Sequence, residues 1–276
     1  MESYKTYFKM KEKRIIFLNS YSPRTGHNFA SEVLKIFTNH EVLAHNRSET
    51  RLSIFLNGYY KIYNSKIYHK TDKEFFDTII LKSIRKNIIN KSSNDFIMIK
   101  DTTFEGIEYL SKVFPKDIHI ILLRNPRDVF SSLFKAMDLT KGTIKDLIKK
   151  LGLISGLYPY YYCKKVSKSI MEHIPEINAC HYVLRYEDLV TKNVSVLVEL
   201  KEKFNSDKSI EEIKQEIDNI HVLNSSFYEE VNAKNIWDAK MKTKYFNPIN
   251  RKKLPFLVQK GIDLGAKRLA KKLNYI

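Results

Sequence analysis

Cysteine is nearly absent from the 276-residue chain, with Cys163 and Cys180 the only two. That excludes a disulfide framework or a cysteine-rich zinc site and suits a reducing compartment, the cytoplasm. Glycine and proline are sparse, at 8 and 7 residues, so collagenous and low-complexity chains are excluded as well. No apolar run approaches the ~18 residues a bilayer span requires, and the charged N-terminus has no stretch that could act as a signal peptide. Acid is in deficit: 31 Asp plus Glu against 48 Lys plus Arg leave a formal net charge of +17. What is present is material for a core, 43% hydrophobic and 12% aromatic. The basic surface could hold nucleic acid, an anionic membrane or a phosphorylated small molecule. One domain over 1–276 is expected. Nothing in the sequence sets an oligomeric state.

Four short apolar runs read as strands: Ile15 to Leu18, Phe96 to Ile99, Ile118 to Leu123 and Tyr182 to Leu184. Apolarity that is continuous rather than alternating points to parallel strands covered on both faces. Helical patterns lie between them, at Asn28 to Phe37, Lys73 to Asn90, Phe104 to Val113, Asp128 to Met137 and Leu153 to Glu172, the last with a kink or a later start at Tyr158-Pro159. Strand alternating with helix predicts a three-layer α/β/α fold around a central parallel sheet, which binds ligands at the carboxyl ends of its strands.

After the first strand comes Asn19-Ser20-Tyr21-Ser22-Pro23-Arg24-Thr25-Gly26-His27-Asn28-Phe29, a polar loop running into a helix. That arrangement offers unpaired amides to an anion. Gly26 is followed by His27 rather than by Lys-Ser/Thr, which disfavours an ordinary nucleotide-hydrolysing P-loop or a nucleotide kinase. After the third strand, Arg124 emerges from a wholly apolar run and Pro126-Arg127-Asp128 opens a helix that carries Ser132.

These blocks resemble the sulfotransferases that use 3′-phosphoadenosine 5′-phosphosulfate. Pro23-Arg24-Thr25-Gly26 resembles that family's 5′-phosphosulfate loop, and Arg124-Asn125-Pro126-Arg127-Asp128 with Ser132 its 3′-phosphate motif, the Arg-to-Ser spacing kept. Leu184-Arg185-Tyr186-Glu187-Asp188-Leu189 matches an Arg-Tyr-Glu-Asp-Leu block, and Asn224-Ser225-Ser226-Phe227 resembles a Thr-Ser-Phe block near the adenine. The resemblance implies a P-loop-like fold, sulfuryl transfer from that donor to a hydroxyl or amine of a small molecule, glycan or lipid, and no metal. It implies that Arg24, Thr25, Gly26, His27 and Asn28 surround the phosphosulfate, that Arg124 and Ser132 hold the 3′-phosphate, and that Phe29, Tyr186, Ser225 and Phe227 border the adenine.

Two departures stand out. The family's Lys-Thr-His string reads Lys100-Asp101-Thr102 here, so Lys100 is kept but the histidine is not. Asp101, His45 and His27 are the replacements open as the catalytic base. The family's C-terminal Arg-Lys-Gly string has no clean copy, and Lys240, Lys242 and Lys244 are approximate substitutes. Without a base, the chain would be a nucleotide-binding relative that does not turn over. A nucleic-acid-binding protein is the rival class: Arg51 to Lys70 interleaves Tyr59, Tyr60, Tyr63 and Tyr68 with lysines, although an acceptor lid is the more economical reading of that stretch, with Tyr158 to Tyr162 as further lining. The tail Gly261 to Leu273 carries Ile262, Leu264, Leu269 and Leu273 at helical spacing, to pack on the domain or touch anionic lipid.

Overall fold

The computed structural model describes residues 12–43, 49–65, 69–136, 144–221 and 254–276. The chain opens with β1 (Arg14–Ser20), α1 (His27–Thr38) and a two-residue strand β2 (Glu41–Val42), then α2 (Leu52–Tyr63), α3 (Lys70–Phe76) and α4 (Lys82–Ile89). It continues through β3 (Phe96–Asp101), α5 (Ile107–Val113), β4 (Ile118–Leu123), α6 (Pro126–Ala136), α7 (Ile144–Ile154) and α8 (Leu157–His173). Last come β5 (His181–Arg185), α9 (Tyr186–Val190), α10 (Val194–Phe204), α11 (Ile210–Asn219) and α12 (Phe256–Lys272). All four apolar runs are strands. The short edge strand β2 has too few residues to leave a pattern in the sequence.

The sheet is parallel throughout, in the order β2-β3-β1-β4-β5. Side chains alternate across it, so Ile16 and Leu18 of β1 face α1, α10 and α11 in one core, while Ile15 and Phe17 meet Leu56, Leu110 and Phe114 in another. A third cluster joins Ile121 and Leu123 of β4 to α6, α8 and α12. The result is the expected α/β/α sandwich, and burial on both faces is why the strands read as unbroken apolar runs.

Three expected helices differ in detail. The 73–90 pattern is helix over 70–89, but a π turn at Asp77–Leu81 separates α3 from α4. The 104–113 pattern starts only at Ile107, after Gly106. The 153–172 pattern is two helices, because Gly156 adopts a left-handed conformation (φ 79) and α8 restarts at Leu157 with Pro159 in its first turn, where no amide is missed. In the tail, Ile262, Leu269 and Leu273 are buried, whereas Leu264 remains 55% exposed.

Helix α12 lies unusually close to α8. A Cβ built on Gly261 would stand 2.2 Å from the Gly156 carbonyl oxygen, and one on Gly265 would stand 2.5 Å from that of Tyr160. Backbone atoms cannot step aside as a flexible side chain can. Gly261→Ala is therefore expected to cost about 2 kcal/mol. Gly58→Ala, with nothing within 4 Å of the new methyl, should gain about 1 kcal/mol from helix propensity. Urea unfolding of the two variants checks the opposite signs.

Candidate active site

Strand β1 is the centre of the sheet: the chain moves from it to β2 and β3 on one side and later to β4 and β5 on the other. The crevice above such a switch point is the usual ligand site of a parallel sheet. Three chain segments meet there, the β1–α1 loop, the end of β3 and the end of β4. Asn19, at the end of β1, is level with Asp101 on β3 and Ile121 on β4.

The β1–α1 loop is tightly wound. The Thr25 hydroxyl donates to the Ser22 carbonyl at 2.6 Å, and the residues on either side of Thr25 are left-handed, Arg24 at φ 72 and Gly26 at φ 97. Glycine is required at 26 on two counts. Its φ is costly for any other residue, and a Cβ there would lie 2.3 Å from the Tyr186 ring. The loop ends on the first turn of α1, whose leading amides have no acceptor within the helix.

Arg124 closes the other flank. Its guanidinium is buried, lies 4.3 Å from the centre of the Tyr186 ring, and donates through Nη1 to the Arg24 carbonyl at 3.0 Å. Tyr21 Oη donates to the Arg124 carbonyl at 2.7 Å. Phe29 meets Tyr186 edge-on, with ring centres 5.7 Å apart. The structure thus assembles Arg24, Gly26, Phe29, Arg124 and Tyr186 around one loop, and Ser132 is buried on α6. His45, Ser225, Phe227 and Lys242 lie outside the described residues, as do Lys240 and Lys244.

On the β3 side, Lys100 is buried and donates from Nζ to Asn28 Oδ1 at 2.9 Å. His27 stands next to this ammonium. Burial first and Lys100 second pull its imidazole down to about 4, so it is neutral at pH 7. His27 Nδ1 and Asn19 Nδ2 are buried with no hydrogen-bond partner among the described residues. Polar atoms left open in this way can be met by a ligand's polar groups or by water. Burial also draws the Arg24 guanidinium below its ordinary value.

Facing these groups is a set of carboxylates. Asp101 accepts from Ser53 Oγ at 2.9 Å and from the Thr102 amide at 2.8 Å. Burial raises its carboxyl above the ordinary value, these two bonds oppose the rise, and Glu49 adds to it. Thr102, which stands where the resemblance implies a histidine, donates its hydroxyl to Glu49 Oε2. Glu49 Oε1 is 3.8 Å from His27 Nε2, and because His27 is neutral this contact is not an ion pair. Glu49, Asn19 and Ser53 are site residues that the sequence reading did not single out. Only Asn19, a polar residue ending an apolar strand, left a signal that could have been found.

Several of the tyrosines proposed as lining make packing contacts, whereas Tyr161 is 64% exposed and Tyr68 lies outside the described residues. Tyr158 and Tyr162 pack edge-on against Phe134, Tyr60 stacks on Tyr109 at 4.4 Å, and Tyr59 donates to Asp77 Oδ1 at 2.6 Å.

By sequence, no family model and none of the curated proteins match the chain. Among solved structures the chain is similar to the sulfotransferase domain from the curacin biosynthetic pathway, with a TM-score of 0.45 and 14% identity over 96% of this chain and 99% of that one. It is similar as well to the sulfotransferase domain of the Synechococcus PCC 7002 olefin synthase, at 0.42 and 13% over 97% of each chain. A third is retinol dehydratase, crystallised with androsterone and the inactive cofactor PAP, at 0.39 and 16% over 96% of this chain and 81% of that one. At such identities the likeness is one of chain path, and it assigns no role to any residue here.

Two outcomes are expected from this geometry. His27 is held near 4 when folded, against 6.5 in the free side chain, so the unfolded chain takes up the proton first as pH falls. Stability should be full above pH ~6.5 and decline as pH drops toward ~4, by up to about 3 kcal/mol from this residue. His40, held to about 3 by burial, and His119 and His181, drawn below their ordinary values by burial, contribute as well, so His27→Gln should remove part of the slope in a pH series of urea melts. Arg24→Gly relieves about 1 kcal/mol of left-handed backbone cost while deleting the guanidinium. Its thermal midpoint should hold or rise even as anion binding weakens.

Proposed function

We propose that the protein transfers a sulfuryl group from 3′-phosphoadenosine 5′-phosphosulfate to an acceptor hydroxyl. The observation that carries this is the meeting in one crevice of a cation-flanked loop, with Arg24, Lys100 and Arg124, and a carboxylate, Glu49, beside His27 and Thr102. The donor fits the residues: two buried polar atoms on Asn19 and His27 are open to it, and the first amides of α1 face the anion position. When bound, the donor supplies a sulfur whose bond to the 5′-phosphate oxygen breaks as one to the acceptor oxygen forms, giving a sulfate ester and adenosine 3′,5′-bisphosphate.

The chain's own residues do the rest. Arg24 and Lys100 offset charge on the phosphosulfate oxygens, Lys100 being aimed by Asn28. Arg124 and Ser132 hold the 3′-phosphate, and Phe29 and Tyr186 border the adenine. Glu49 takes the acceptor proton, and the Thr102 hydroxyl fixes the carboxylate for that task. Asp101, with both oxygens bonded, positions the end of β3 through Ser53. The packing of Tyr59 and Tyr60 favours this reading over nucleic-acid binding, which would present them as a stacking surface.

Calorimetric titration with adenosine 3′,5′-bisphosphate tests the donor site. Micromolar binding is expected, weakened about ten- to a hundredfold in Arg24→Gly and in Arg124→Ala. Glu49→Gln should bind equally well yet transfer label from ³⁵S-donor to a panel of phenols, alcohols and amines about a hundredfold more slowly. Failure of the folded parent to bind overturns the proposal. Binding without transfer to any acceptor reduces the protein to a nucleotide binder.

A further inference from the structure

Away from the crevice, the α7–α8–α12 corner exposes an apolar cluster that no described residue covers. Leu151 is 61% exposed, Ile154 60%, Leu157 59%, Phe256 75% and Leu257 50%. These residues belong together in space. Gly156, between Ile154 and Leu157, is so close to α12 that a Cβ on it would be 2.2 Å from the Leu257 carbonyl oxygen. Gly265, further along α12, meets the Tyr160 carbonyl and Cys163 further along α8, so the two helices run the same way and their first turns form one tip.

The exposed stripe leading back from this tip changes character in the same sense on both helices. On α8, Leu157 and Tyr161 are followed on the same face by exposed Lys164 and Lys168. On α12, Leu257 is followed by Lys260, then by Leu264 and exposed Lys267 and Lys271. Lys260 already reaches over the Phe256 ring, 5.8 Å from its centre. The acid on this face of α12, Asp263, is taken up by Arg127 at 3.0 Å and by Gln259 at 2.9 Å. An apolar tip backed by lysines that, among the described residues, form no ion pair matches the two layers of an anionic bilayer surface, acyl boundary and headgroup.

We infer that this corner docks the protein on an anionic membrane surface, with Leu157, Phe256 and their neighbours entering the acyl boundary and the α8 and α12 lysines resting on the headgroups. Charge selects this occupant over a second copy of the chain: two such corners would bring like-charged lysine stripes together on molecules of net charge +17. No covalent step is involved, and the docking does not depend on the proposed transfer reaction.

Co-sedimentation of the full chain with phosphatidylcholine vesicles, with and without phosphatidylglycerol, tests it. Binding is expected only with the anionic lipid. Leu157→Asp combined with Phe256→Asp should lower the partition coefficient at least about tenfold. Lys164→Glu with Lys267→Glu should lower it to a similar extent and flatten its dependence on salt. All four positions are exposed, so circular dichroism melts should match the parent, and adenosine 3′,5′-bisphosphate binding should be unchanged. Absence of pelleting overturns the proposal, as does pelleting that the apolar double variant leaves intact. A concentration-dependent dimer in lipid-free sedimentation velocity, abolished by the same double variant, also overturns it and assigns the corner to self-association.

Discussion

The organisation of the site depends on one buried cation, Arg124. Removing a guanidinium from water is expensive unless its donors and its charge are met. Here Nη1 meets the Arg24 carbonyl and the Tyr186 ring lies beneath the plane. These contacts draw the β1–α1 loop, the end of β4 and the start of α9 to a single point. The linkage continues into the C-terminus. Glu187, next to Tyr186, accepts from the Asn125 amide and from Tyr275 Oη, while Arg185 packs over the Tyr275 ring and donates to the Leu273 carbonyl. The end of α12 is thus coupled, through Tyr275 and Glu187, to the residue that follows Arg124.

Charge is divided across the crevice. Lys100, Arg24 and Arg124 lie around the loop, and Glu49 and Asp101 face them from the α2 side. His27 lies between, and burial beside Lys100 keeps it neutral. A protonated imidazole there would add a further positive charge and pair with Glu49, occupying the carboxylate. As a neutral ring it leaves Glu49 held, among the described residues, by the Thr102 hydroxyl. In the proposed reaction Thr102 therefore need not be a histidine: its hydroxyl meets a carboxylate supplied by a distant segment, and a half-buried carboxylate can accept a proton as an imidazole can.

What was legible in the sequence follows from the range of the interactions involved. Strands buried on both faces left continuous apolar runs, so β1, β3, β4 and β5 could be read directly, and polar residues after them, Arg24 and Arg124, stood out by contrast, while Lys100, at the end of β3, was found through the family resemblance. Glu49 left no mark, because it reaches the site from a segment with no pattern of its own and gains its role only through Thr102, far along the chain. The division between α7 and α8 was obscured because apolar residues keep helical spacing across Gly156, and the left-handed turn there, packed close against the Leu257 carbonyl, separates them. Tyr59 and Tyr60 looked like a binding surface by composition, yet their partners, Asp77 and Tyr109, come from elsewhere in the sequence.

Strand β1 is pinned at both ends. At its start, Asp117 accepts from the Ile15 amide at 2.8 Å and is clamped by Arg85, which also reaches the Lys13 carbonyl. At its finish, Tyr21 is tied to Arg124. Asn19 and the loop that follows are therefore set by fixed points on β4 and α4, and the donor side of the crevice is organised before any ligand arrives. The opposite wall differs in construction. Glu49 lies in a connecting segment and Ser53 on the first turn of α2, attached to the end of β3 through side-chain hydrogen bonds to Thr102 and Asp101 and a backbone one from the Thr50 amide to the Lys100 carbonyl. A wall made of loop and helix start can vary without disturbing the sheet. Under the proposed transfer reaction, the choice of acceptor would fall to the segments around α2 and the holding of the donor to the sheet.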